Sequence, residues 1–100
     1  MTVYLVMTEW NRCGDYGQEL DGVYASRESA RQLVKELVEE DLQYGDFEKV
    51  EGLPSMQELI DCVTLNKPLP TDYVRLYNGE DPYDTEDYIE YAVVEKKVHE

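Results

Sequence analysis

The run Thr2 to Trp10 (TVYLVMTEW) constrains the fold more than any other stretch, because β-branched and aromatic residues fill it and both of its alternating sets are apolar. Val3, Leu5 and Met7 share one face, and Tyr4, Val6, Thr8 and Trp10 share the other. A strand that is apolar on both faces belongs in the interior of a sheet. Asn11 to Gly17 (NRCGDYG) carries turn chemistry, and Gln18 to Ala25 (QELDGVYA) returns as an antiparallel partner with Gly22 as a candidate bulge. The expectation is a hairpin with a long loop.

Ser26 is placed as an N-cap, and Ala30, Leu33, Val34, Leu37, Val38 and Leu42 follow at the spacing of an amphipathic helix that Gly45, after Tyr44, would stop. Ser55-Met56-Gln57-Glu58 reads as a capping box opening a shorter helix, with Met56, Leu59, Ile60 and Val63 on one face and Asn66 near its end. Pro68 and Pro70 forbid its continuation. Tyr73 to Tyr77 reads as a short strand, Asn78-Gly79 as a turn, and Tyr88 to Val98 as the last strand, delayed by an acidic run. The order β-β-α-α-β-β predicts an α+β fold: one four-stranded antiparallel sheet with two helices on one face, residues 1–100 forming a single domain.

Charge narrows the function. The chain has 23 Asp and Glu against 9 Lys and Arg, a formal net charge of -14, and still enough apolar residues (42%) to build a core. Self-repulsion on that scale points to solubility or to a positively charged partner, and it argues against nucleic acid as a ligand. No export signal or membrane-spanning run is present, and Cys13 and Cys62 form no CxxC pair. These features fit the reducing cytoplasm, with a Cys13–Cys62 bridge as a weaker alternative.

The acids gather in two blocks. The first, on the second half of the long helix and the loop beyond, contains Glu36, Glu39, Glu40, Asp41, Asp46 and Glu48. Its sign opposes the helix dipole, by about 0.3–1 kcal/mol per carboxylate. Arg27, Arg31 and Lys35 occupy the half where acids would be favoured, and Glu36 with Glu40 is a like-charge i, i+4 pair. The bland reading is a solvated face whose acids meet Lys49, Lys96 or Lys97. The functional reading keeps the acids for something outside the helix. The second block contains Glu80, Asp81, Tyr83, Asp84, Glu86, Asp87, Tyr88 and Glu90. Its carboxylates present negative charge much as phosphates do, and its tyrosines offer rigid contact surface, while a solvated loop is again the bland reading.

Asp81, Asp84, Glu86 and Asp87 offer hard oxygen ligands, but the spacing and central glycine of an EF-hand are missing. His99 lies next to the last residue, zinc spacing is absent among Cys13, Cys62 and His99, and no phosphate-binding glycine loop occurs. Glu39 and Asp41 could do acid and base work, yet nothing in the sequence marks a cleft around them. The expectation is therefore a non-enzymatic protein with no metal or cofactor. Tyr4, Tyr16, Tyr24 and Tyr44 read as structural cover, and Trp10 as a contact residue.

Two resemblances follow from these residues. Val3-Tyr4-Leu5-Val6 with Leu20 to Ala30 (LDGVYASRESA) resembles small phage and bacterial domains that open with a hairpin and a Ser-capped helix, a likeness that implies no activity. The short, strongly acidic, Asp/Glu/Tyr-interleaved composition is similar to phage-encoded nucleic-acid mimics, including anti-CRISPR proteins that block the DNA-binding surface of CRISPR effector nucleases. That resemblance implies a cytoplasmic inhibitor in a host cell that contacts a basic nucleic-acid-binding protein and neither nucleic acid nor membrane. The alternative is a small accessory or structural phage domain whose charge maintains solubility.

Overall fold

The hairpin is tighter than the sequence predicts. In the computed structural model, which describes residues 1–83, 85 and 87–99, β1 (Thr2–Arg12) and β2 (Asp15–Tyr24) leave only Cys13 and Gly14 between them. Both turn residues are left-handed, with φ of 55° and 86°, the conformation that matches the twist of flanking strands. Cys-Gly is not the Asn-Gly or Asp-Gly pair that announces such a turn, so residues 11–17 read as loop. Gly22 does mark a bulge. Val6 pairs with Gly22 and Met7 with Leu20, leaving Asp21 as the extra residue.

α1 (Arg27–Tyr44) begins where the Ser26 hydroxyl accepts from the Ser29 amide at 3.1 Å, and it ends at Gly45, whose amide donates to the Asp41 carbonyl at 2.7 Å. A Cβ at Gly45 would stand 2.6 Å from that carbonyl oxygen, which is why the stop is a glycine. A three-residue strand then appears that the sequence reading lacks: β3 (Lys49–Glu51). Lys-Val-Glu is too short to display alternation, and only pairing with β4 (Tyr73–Tyr77) makes it a strand. α2 (Met56–Thr64) follows with Ser55 as its N-cap and Leu65 as its C-cap, and Asn66 takes a left-handed φ of 54° just beyond. β5 (Tyr88–Lys97) closes the chain between β1 and β4.

The sheet therefore has five strands, not four, in the order β2-β1-β5-β4-β3 with every pair antiparallel, and the chain reads β-β-α-β-α-β-β. The α+β class stands, and one core packs both helices against the sheet. Val6, Val74, Leu76, Tyr91 and Val93 supply its sheet side, Ala30, Val34, Val38 and Leu59 its helix side, and Phe47, Leu53 and Leu69 fill in from the connections. Burying one such aliphatic side chain is worth roughly 1.5–3 kcal/mol. Leu59→Ala, at a side chain with no exposure, is expected to cost about 2–5 kcal/mol. No helix among the described residues is long and apolar enough to cross a membrane.

Candidate acidic interface

Chain reversals at one end of the sheet bring the two acidic blocks together. The β1–β2 turn, the C-terminal end of α1 and the β4–β5 connection share that end, and side-chain hydrogen bonds clip them to one another. The Asn78 amide donates to the Asp46 carbonyl at 3.2 Å, and its Oδ1 accepts from the Glu48 amide at 2.9 Å, which fixes the first block to the turn that begins the second. Across the same end, the Cys13 amide donates to Asp87 Oδ1 at 2.9 Å. Asp15, Asp46, Glu48, Glu80 and Asp81 are exposed on this surface, with Asp87 half-buried. Asp15, the first residue of β2, joins them without belonging to either block, and a lone acid carries no sequence pattern. Asp84 and Glu86 lie outside the described residues. The cations here are engaged locally: Arg12 stacks 5.2 Å from the Phe47 ring centroid, and Lys49 donates to the Gly79 carbonyl.

The helix acids divide. Glu39 lies 3.4 Å from Lys35 Nζ, and that lysine, almost fully buried, also donates to Asn66 Oδ1 at 2.6 Å. Glu36 stands apart, lining a shallow groove with Tyr24, Glu28 and Pro68. Ion pairs among the described residues join Arg27 to Asp72 and Glu95, Arg31 to Asp72, Lys35 to Glu39 and Arg75 to Glu90, so the pairing of the first block with Lys49, Lys96 or Lys97 is not found. Arg27 also stacks 5.0 Å from the Tyr4 ring centroid. The bases at the start of α1 are thus held by tertiary partners, which removes half of the argument from reversed helix polarity. Glu36 and Glu40 are the part that remains.

Glu40 and Asp41 border a groove of about 290 Å³ that Thr8, Trp10, Glu19 and Asp21 also line. Trp10 fits there because residue 17 is glycine: a Cβ at that position would fall 2.2 Å from the indole. Burial pushes Asp41 up to about 6, the Tyr91 hydroxyl that donates to it pulls the other way, and the Glu40 charge adds to the rise. Glu19 is raised by its hydrogen bond with Asp21. Asp41 is consequently the least dependable charge of the first block near neutrality, contrary to its expected place on an outward acidic face.

Tyr83, Tyr88 and Glu90 do not form the free contact set that the sequence predicts. Arg75, 7% exposed, organises them. Its Nε and Nη2 donate to Glu90 at 3.0 and 2.6 Å, its Nη1 donates to the Pro82 carbonyl at 2.8 Å, and its guanidinium lies 3.9 Å from the Tyr88 ring centroid and 4.8 Å from that of Tyr83. Glu90 accepts further from the Tyr73 hydroxyl at 3.2 Å, so its charge is neutralised inside the protein. Tyr88 is half-buried, whereas Tyr83 donates to Glu51 at 3.1 Å and keeps 63% of its surface exposed. Arg75 belongs to neither acidic block and no motif marks it. Its signal was a charged residue at the centre of an otherwise apolar strand, Tyr73-Val74-Arg75-Leu76-Tyr77.

No group of three or more His, Cys, Asp or Glu among the described residues is arranged to hold a metal ion, and Cys13 and Cys62 are both free thiols. Comparison with protein-family models, curated proteins and solved structures finds no match. The likeness to acidic inhibitors therefore rests on composition.

Proposed function

We propose that this chain is a non-enzymatic acidic binding protein that docks its carboxylate-rich end on the basic nucleic-acid-binding surface of a host protein, competing with nucleic acid for it. A CRISPR effector nuclease is the sharpest version of that partner. The observation that carries the reading is the Asn78 clip, which fastens the Asp46–Glu48 backbone of the first block to the turn that leads into Glu80. Acids on a backbone held in place lose less entropy on binding than acids on free loops. Glu48, Glu80, Asp81 and Asp87 supply the charge, and the exposed ring of Tyr83 supplies the contact surface that resists dissociation.

The test is competition. The purified chain should displace duplex DNA from such a nuclease in a salt-sensitive manner, while binding no DNA itself in a gel shift at about 0.1 M salt. Reversing Glu48, Glu80 and Asp87 to Lys should slow association by about tenfold or more and flatten its salt dependence, whereas Tyr83→Ala should speed dissociation. If displacement survives these substitutions with unchanged rates, the acidic end is not the contact surface. Appreciable DNA binding by the chain alone would also sink the reading.

A further inference from the structure

We propose that the β2–β1–β5 part of the sheet face opposite the helices is a docking site for a second copy of this chain, packed face to face with the strands of the two copies running in opposite directions. Both helices lie on one side of the sheet; on the other, Pro82 and Tyr83 lie over Arg75 of β4, while the β2–β1–β5 part presents exposed apolar side chains among the described residues. There the strand registers align Val23, Leu5 and Val94 in one row across β2, β1 and β5, and Leu20, Met7 and Ala92 in the next. Leu20, Val23 and Val94 are 53%, 53% and 44% exposed. Adjacent apolar rows on an open face are the pattern expected of an interaction surface.

Charge at the two ends of these rows chooses the occupant. Beyond the first row stands Lys96, in register with Val3, and beyond the second stand Glu9 and Glu90, directly opposite each other in register. Like charges facing across a strand pair are unfavourable, and Arg75 compensates only on the Glu90 side. A two-fold axis lying across the strands, between the two apolar rows, sets row against row and brings Lys96 of each copy over the Glu9–Glu90 end of the other, where Glu9 is the carboxylate that no cation among the described residues meets. An axis along the strands would set the Glu9 end of each copy against the same end of the other, which a chain of net charge -14 disfavours. Edge-to-edge pairing is blunted, because β2 carries the bulge at Asp21 together with Glu19, and β3 has three residues. The contact is isologous, as a closed dimer requires, and leaves the acidic ends outermost at opposite poles.

Sedimentation velocity on the full chain, from about 1 to 200 µM at roughly 0.15 M salt, tests this. The mass should rise from 11.7 kDa toward twice that value with concentration. Leu20→Glu with Val94→Glu should hold the chain monomeric with an unchanged circular dichroism spectrum, and Leu20→Ser with Val94→Ser should act in the same direction if the glutamates disturb folding. Lys96→Glu should weaken the dimer by about tenfold, and adding Glu9→Lys should recover most of that loss. A wild-type chain that stays monomeric throughout overturns the proposal, as does a dimer that persists in both Leu20/Val94 variants. Failure of the charge swap to recover association overturns the antiparallel orientation.

Discussion

The two ends of the sheet use the same kinds of residue to opposite effect. Where α1 begins, Arg27 and Arg31 converge on Asp72, Arg27 also reaches Glu95, and the local charges are largely spent on each other. Where α1 ends, carboxylates from three chain reversals accumulate, and the nearby Arg12 and Lys49 turn to a ring and a backbone carbonyl instead. Composition alone does not distinguish a solvated acidic face from a presented one. What pairing geometry adds is that no ion pair among the described residues reaches Asp15, Asp46, Glu48, Glu80, Asp81 or Asp87 at that end.

The largest effect should come from removing the one cation that organises the acidic pole. Arg75→Met leaves Glu90 without its partner and Tyr83 and Tyr88 without the group they sandwich, with an expected loss of about 3 kcal/mol in urea unfolding. A loss below about 1 kcal/mol would mean that the cluster is ornamental to stability.

Next is a matched pair of neutralisations. Asp72→Ala at the paired end should cost about 1–2 kcal/mol, because two guanidinium groups lose their acceptor. Glu80→Gln with Asp46→Asn at the other end should leave stability unchanged or raise it by a few tenths of a kcal/mol through relief of self-repulsion. Equal losses at both ends would erase the contrast.

Asp41 gives the contrast a pH dependence. Its folded-state value, about 6 against an ordinary 3.8, means that the folded chain holds the proton more tightly than the unfolded chain does. Its contribution is therefore favourable below about pH 4 and is lost as pH rises to about 6, with no further change above. Because the side chain is partly solvated, the effect should be on the order of 1 kcal/mol. Asp41→Asn, which keeps an acceptor for Tyr91, should remove that slope and be the more stable form at pH 7. Thermal melts of both proteins between pH 4 and 7 measure it.

The smallest effect separates neighbours on α1. Glu39→Lys brings a second cation against the buried Lys35 and should destabilise, whereas Glu40→Lys relieves the repulsion with Glu36 and should stabilise, each by roughly 0.3–1 kcal/mol. Identical signs would show that Lys35 does not depend on Glu39.

Elements that state their own period were legible. Ser26 and Ser55 cap the helices they announce, Tyr73 to Tyr77 is a strand with the bounds its residues imply, and Gly22 sits at the bulge. What stayed hidden depends on distant partners. β3 exists only against β4, and the Cys13-Gly14 turn is dictated by the twist of the strands it joins. The acids on the helix and in the last loop were visible as blocks, but no sequence pattern says that Asn78 ties them together. The bond partners of Glu90 and Asp41 were equally invisible, since Arg75 lies fifteen residues from Glu90 and Tyr91 fifty from Asp41.

The placement of β5 between β1 and β4 has a consequence for how the chain is made. β1 pairs along nearly its whole length with β5, Thr2 against Lys97 and Asn11 against Tyr88, so the sheet cannot close until β5 has been synthesised. At about 5–20 residues per second, the first strand waits on the order of ten seconds with one edge and the Val6 side of its apolar surface unprotected. Contacts of such long sequence separation also slow folding once the chain is complete. The nascent hairpin is thus the stretch most in need of shielding during translation, and its bulge and the carboxylates of β2 guard only the outer edge.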